Sequence, residues 1–244
     1  MQLLQTIAQI QEGIGGCTRC PRLVAYRQQV AVHKVRRFRH ETYWGKPVSS
    51  FGDPQARVLI VGLAPAAHGG NRTGRAFTGD RSGEWMYGAL YASGFASQPT
   101  ATHREDGLTL HDCFITQVLH CVPPANKPER QEIAACQTYM LAELRLLTQV
   151  QVVVPLGKIA FDAYLRACRL LDIPLLTPRP RFGHGQLARF PNGLVLLPSY
   201  HPSQQNTSTG RLTRTMLHNI FVTARRVLEQ NAKTPMTPQG VRSK

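Results

Sequence analysis

The stretch "ARVLIVGLAP", residues 56–65, decides the fold. It is a continuous apolar run that stops at Gly-x-x-Pro. A strand wetted on one face alternates apolar with polar residues. A run that is apolar at every position has both faces covered, and so reads as an inner strand of a parallel sheet that ends in a loop. The loop is Gly-rich, "HGGNRTGRAFTGD" (68–80), and "SGEWMYGALYASGF" (82–95) follows as a helix with a Ser cap and a helical apolar period. The same unit then recurs. "CFITQVLHCVPP" (113–124) reads as a strand and its exit, and "NKPERQEIAACQTYMLAELRLL" (126–147) as a helix with Pro at its start. "VQVVVPLG" (150–157) precedes the helix "KIAFDAYLRACRLL" (158–171), and "GLVLLPSYHP" (193–202) precedes the helix "GRLTRTMLHNIFVTARRVLEQ" (210–230).

Four strand–helix alternations predict an α/β chain: a three-layer α/β/α sandwich around a mostly parallel, four-stranded central sheet. Residues 1–14 read as an amphipathic helix, 15–23 as a tight Gly/Cys/Pro turn, and 33–48 as an extended basic and aromatic loop. Residues 1–230 are expected to form one domain, and 231–244 a disordered basic tail. In open sheets of this kind the working residues gather on loops beyond the carboxyl ends of the strands. Here those loops are 64–80, 117–127 and 199–211, the last of them carrying His201 in "SYHPSQQNTSTGRL" (199–212).

Charge narrows the partner. The 244 residues hold 29 Lys and Arg against 14 Asp and Glu, a net charge of +15. A globular chain so basic repels itself unless a polyanion relieves it, which puts nucleic acid first among partners, ahead of an anionic membrane surface. No stretch reaches the roughly 18 apolar residues of a membrane span. "MQLLQTIAQIQEG" lacks the basic start and long apolar core of a secretion signal. A soluble cytoplasmic protein without membrane contact is expected. In a reducing compartment its six cysteines are buried thiols, catalytic groups or metal ligands.

Cys17 and Cys20 form C-x2-C directly before Pro21. A turn that short brings two thiolates to one centre. Cys113, Cys121, Cys136 and Cys168 are the candidates to complete a four-sulfur site; Cys113 sits in an apolar strand and Cys168 in a helical pattern, where small buried hydrophobes are expected. Zinc and a [4Fe-4S] cluster fit this spacing equally.

"GLAPAAHGGNRTGRAFTGD" (62–80) taken with "YHPSQQNTSTGRLT" (200–213) resembles the family 5 (type-b) uracil-DNA glycosylases, and Cys17, Cys20, Cys121 and Cys136 match that family's cluster ligands in order and spacing. The resemblance runs from about residue 15 to 230. It implies a [4Fe-4S] cluster on those four cysteines, and removal of uracil, with other deaminated bases such as hypoxanthine, by hydrolysis of the N-glycosidic bond. The substrate it implies is uracil-containing DNA, double- and single-stranded, bound by a monomer.

That reaction leaves positive charge on the sugar and negative charge on the base, which must first leave the stack and enter a pocket. His201 is expected to donate a hydrogen bond to the uracil anion, aided by backbone N–H groups of the Gly62–Ala66 loop. Phe77, an aromatic in a Gly-rich loop, is expected to stack on the base. Ala64 stands where better-known uracil-DNA glycosylases carry an Asp or Asn, so the attacking water falls to Asp80, which could equally cap the next helix, or to Asn71. Gln117 stands where relatives often have an Asn that reads the uracil edge; it offers the same groups on a longer arm. Arg211 is expected to enter the duplex with Leu212 as a wedge. Ser203, Arg36, Arg37, Arg72 and Arg75 are expected to meet the DNA backbone, which gives affinity without sequence preference. The alternatives are an electron-transfer protein, a non-catalytic iron–sulfur nucleic-acid-binding protein, and a small-substrate hydrolase using Asp80 and His201.

Overall fold

The computed structural model describes residues 6–233. The apolar run around Ile60 forms β2 (Val58–Gly62), buried at every position. It pairs in parallel with β3 (Cys113–Gln117) on one side and β4 (Val152–Pro155) on the other, and β4 pairs in parallel with β6 (Val195–Leu196). These are the four expected parallel strands. The sheet itself has six, because β1 (Phe51–Gly52) and β5 (Ala188–Arg189) each add an antiparallel edge, and the spatial order is β1-β3-β2-β4-β6-β5. Neither edge strand lies in an apolar run as β6 does, and two residues alone leave no periodicity, so they were not anticipated.

Pleating sorts the inner residues. Val58, Ile60, Ile115 and Val154 share one apolar cluster with Met86 and Tyr87 of α4 (Arg81–Ala92) and with Ile220 and Phe221 of α8 (Arg214–Lys233). Leu59, Val61, Phe114 and Val153 face the other way, onto Met140 of α5 (Arg130–Leu146) and Phe161 and Tyr164 of α6 (Lys158–Leu170). This is the three-layer sandwich. Each fully buried side chain of this size contributes about 1.5–3 kcal/mol relative to exposure.

Several boundaries move from those expected. The 15–33 region is more helical than the tight turn suggested: α1 (Ile7–Gly15) is followed at once by α2 (Pro21–Val32), with Cys20 at its N-cap and Pro21 at its first position. The Cys-Pro signal hid a helix start, since proline's missing N–H costs nothing there. The helix α5 begins at Arg130 and not at 126, capped by Glu129 and Glu132 reciprocally. The loop 68–80 contains α3 (Gly70–Thr73), and the histidine loop contains α7 (Gln204–Ser208), capped by Ser203. Residues 231–233, placed in the expected tail, continue α8, while 234–244 lie outside the described residues. Among the described residues no helix is long and apolar enough to cross a membrane.

Candidate active site and cysteine cavity

The chain order β2, β3, β4, β6 against the spatial order β3-β2-β4-β6 means that successive connections leave β2 in opposite directions. That reversal opens a crevice at the carboxyl ends of the strands. Gly62 and Gln117 are register partners at those ends. A Cβ on Gly62 would come within 3.2 Å of the Phe77 ring and 3.5 Å of Gln117 Cγ, so both side chains lean over a backbone kept bare. The Phe77 ring lies 6.0 Å from that of His201, tilted by 35°. His201 in turn is supported from below by Gly157, where a Cβ would sit 3.6 Å from His201 Cβ. Gly62, Phe77, Gln117 and His201 thus form one group, delivered by four chain segments.

Electrostatics suit an uncharged donor. Burial pushes the His201 imidazole down to about 4, so at neutral pH it is neutral and carries one N–H. Its own carbonyl accepts from Asn206 Nδ2 at 2.9 Å, which ties the loop to α7. Gln117 is buried, and its Nε2 has no hydrogen-bond partner among the described residues. A buried unpaired amide is costly, and such groups are rare in folded proteins. Phe77 sits at φ +53°, an unfavourable backbone for a residue with a side chain. Ala64 is half-buried and brings no polar side chain.

Asp80 does cap a helix: its Oδ1 accepts from Gly83 N–H at 2.8 Å at the start of α4. Burial pushes its carboxyl up, against the lowering effect of that hydrogen bond. Its other oxygen lies where a Cβ on Gly69 would be, which explains that glycine. The Ser82 N–H also favours the charged carboxylate.

Other expected site residues are placed elsewhere. Asn71 is buried, and its Nδ2 donates to Arg27 O of α2 at 3.2 Å. Arg72 and Arg75 are buried rather than spread over phosphates. Arg72 donates to His68 O and Gly79 O and pairs with Glu41; Arg75 donates to Thr78 Oγ1, to Arg104 O and to both oxygens of Asp106 at 2.8 Å. Each guanidinium is buried and bonded through all three of its nitrogens to protein oxygens, which holds it inside the loop. Leu212 is fully enclosed in the core against α4 and α8, which removes it as a wedge in this arrangement. Arg211 is exposed, its guanidinium 4.7 Å over the Tyr200 ring. Arg36 and Arg37 are exposed on a single 3-10 turn, and Ser203 is half-buried at the cap of α7.

Between the start of α2 and the middle of α5, Cys17, Cys20, Cys121 and Cys136 line one small cavity together with Leu23, His120 and Tyr139. Cys113 and Cys168 are buried elsewhere, in the sheet and in α6. Arg22 bonds both oxygens of Glu132 at 2.8 Å and so ties α2 to α5. Burial pushes Cys121 and Cys136 up to about 12, so ionised sulfur there needs a positive partner. His120 Nδ1 faces Val48 O at 2.8 Å, and its buried Nε2 has no partner among the described residues. Among the described residues no group of three or more His, Cys, Asp or Glu closes on a point the size of one metal ion.

Sequence reasoning missed the acids that occupy Arg72 and Arg75, and it missed the turn 183–185 that packs on the histidine loop. The only signal for the latter was the Gly-His-Gly triplet in "RFGHGQ" (181–186).

Comparison with known proteins agrees with this architecture. The family model described as the uracil DNA glycosylase superfamily matches residues 49–224. A type-5 uracil-DNA glycosylase of Mycobacterium tuberculosis is 45% identical over 223 residues, covering 91% of this chain and 82% of that protein. One of Thermus thermophilus is 46% identical over 211 residues, covering 86% and 93%. A type-4 uracil-DNA glycosylase of Thermotoga maritima is 26% identical over 213 residues, covering 86% and 89%. A sheet with its crevice between the motif loops and a match at this level over most of both chains lead to one conclusion: the chain belongs to the uracil DNA glycosylase superfamily, and within it to the type-5 uracil-DNA glycosylases.

Proposed function

We propose that this protein excises uracil from DNA by hydrolysing the N-glycosidic bond and leaves an abasic site. The observation that carries the reading is the contact group Gly62, Phe77, Gln117 and His201 at the strand ends, in a chain of this family. The base, turned out of the duplex, lies against the Phe77 ring. The Gln117 amide, with its Nε2 unpaired among the described residues, reads its edge. As the bond to the sugar breaks, negative charge gathers on the base, and the neutral His201 N–H donates to it. A donor aimed at developing charge contributes about 3–4 kcal/mol. Asp80 would offer its carboxylate to the attacking water and its charge to the sugar cation. The longer arm of Gln117 is consistent with a pocket that also admits hypoxanthine.

Cys17, Cys20, Cys121 and Cys136 would hold a [4Fe-4S] cluster. Four cysteines lining one cavity, with Cys113 and Cys168 buried elsewhere, support this reading. When bound, it would supply positive charge to buried thiolates and cross-link α2, α5 and the β3 exit; no chemical step needs it. The exposed Arg36, Arg37 and Arg211, with Ser203, are the proposed DNA contacts on double and single strands. We take residues 1–230 to act as one domain, as a monomer in the cytoplasm, where thiols stay reduced. Belonging to a family of glycosylases disfavours the alternative of a non-catalytic iron–sulfur DNA-binding protein.

The test is a uracil-containing duplex incubated with the protein and then with alkali. Strand cleavage at the uracil position is expected; uncleaved DNA under all salt conditions overturns the reading. The same assay with a hypoxanthine duplex decides the wider substrate range. Visible absorbance and iron content of protein purified without air decide the cluster.

A further inference from the structure

The segment between α6 and β5 has no role in the chemistry above, yet its histidine reaches the catalytic loop. His184 Nδ1 accepts the backbone N–H of Tyr200 at 3.1 Å and lies 3.3 Å from Ser199 Oγ. The two rings stack, with centroids 5.1 Å apart and planes 26° apart. One residue on, Gly185 N–H donates to Pro198 O at 2.8 Å. Arg211 covers Tyr200 as well, at 4.7 Å from the ring centroid. The peptides that lead into His201 are therefore gripped at two points by a turn from outside the loop.

The bond to Tyr200 sets a chemical requirement. Pairing along the sheet edge reaches Ser199, whose N–H goes to Pro155 O and whose carbonyl accepts from Gly157. The next N–H, on Tyr200, goes to an imidazole nitrogen. That nitrogen must carry a lone pair, so His184 has to be neutral with its proton on Nε2. Burial pushes His184 down, partly offset by the Met216 backbone, and so favours that form. A carbonyl would serve any loop. An imidazole adds a flat face that fixes the Tyr200 ring at the same time.

We propose that His184 is a positioning residue: its unprotonated Nδ1 holds the Tyr200 peptide and thereby sets where the His201 imidazole meets the departing base. It touches neither the base nor the sugar and acts through His201. The inference rests on the proposed role of His201. Misplacing a reacting group by about 1 Å costs on the order of a hundredfold in rate, and a peptide one residue away is a short lever.

The experiment measures single-turnover excision from a uracil duplex, and affinity for a uracil-free duplex of equal length, for His184→Ala, His184→Asn, His184→Gln and His201→Ala. Asn carries its oxygen on Cγ, as His carries Nδ1, and can accept the same N–H. Gln carries its oxygen one bond further and cannot. Ala and Gln are expected to lose about tenfold to a hundredfold in rate with DNA affinity unchanged, and Asn to regain most of the rate. A merely structural role would not separate Asn from Gln, so equal rates for these two overturn the proposal, as does an Ala variant as fast as the parent. Should Ala fail to fold, the Asn–Gln pair still decides. A fast His201→Ala variant instead removes the reading of His201, and this inference with it.

Discussion

Arg72 and Arg75 lie a short way along the chain from Arg36 and Arg37, carry the same chemistry, and have opposite fates. The first pair is buried, and its donors are spent on Glu41, Asp106 and loop carbonyls. The second pair is exposed, and Arg37 lies over the Phe38 ring, 4.9 Å away. The lesson is that a basic residue in a glycosylase of net charge +15 is not by default a DNA contact. A buried guanidinium bonded to protein oxygens is a frame for the loop; one left in solvent is available to a phosphate.

Removing one member of the frame should have the largest effect. Arg75→Ala removes the ion pair from Asp106, whose carboxylate still accepts the backbone N–H groups of Thr102, His103 and Leu108, and is expected to cost about 3 kcal/mol of stability by denaturant melt. A loss below about 1 kcal/mol would mean that Arg75 is a surface group after all.

His201→Ala belongs to the opposite category, a site residue that the frame holds up. It should lose about 10²–10³ in excision rate while melting like the parent. Phe77→Ala should weaken excision by the equivalent of roughly 1–3 kcal/mol if the ring stacks on the base; unchanged turnover would return Phe77 to a packing role. Arg36→Ala with Arg37→Ala should leave the melt alone and lower the slope of log affinity against log salt by about 1 per contact removed. An unchanged slope would remove that turn from the DNA surface.

The smallest effect expected is none. Because burial pushes His201 down to about 4, its imidazole is already neutral well below pH 6. The neutral form is lost only as pH falls through about 4, so single-turnover rates should show no break near 6.5, where an ordinary histidine titrates. A break there would show that the ring is solvated in the working enzyme.

Legibility followed the range of the interaction. β2 and β3 were readable because every residue of Val58–Gly62 and Cys113–Gln117 is buried, and a strand covered on both faces leaves its mark at every position of the run. α2 was not, because its start is hidden in Cys20-Pro21 and its apolar residues form no clear stripe: only Leu23, Arg27 and Val30 are buried. At the site, His201, Phe77 and Gln117 were nameable from the motif stretches, and the structure brings them together around Gly62. Asn71 was chosen for being polar and in the right loop, which said nothing about which way its amide points.

The sequence by itself determined the layering of this protein, the loops that meet at its crevice, and the four cysteines set apart from two buried ones. The layers and loops are properties of hydrophobic period and local spacing, complete within a few residues; the four-cysteine set rested on the resemblance of the longer chain to a family. Only the tertiary structure decided which arginines are occupied, that Leu212 is core, and that His184 grips the loop of His201. Each of those depends on partners joined by folding alone, such as Arg75 with Asp106 and His184 with Tyr200, and no local pattern encodes who will stand opposite.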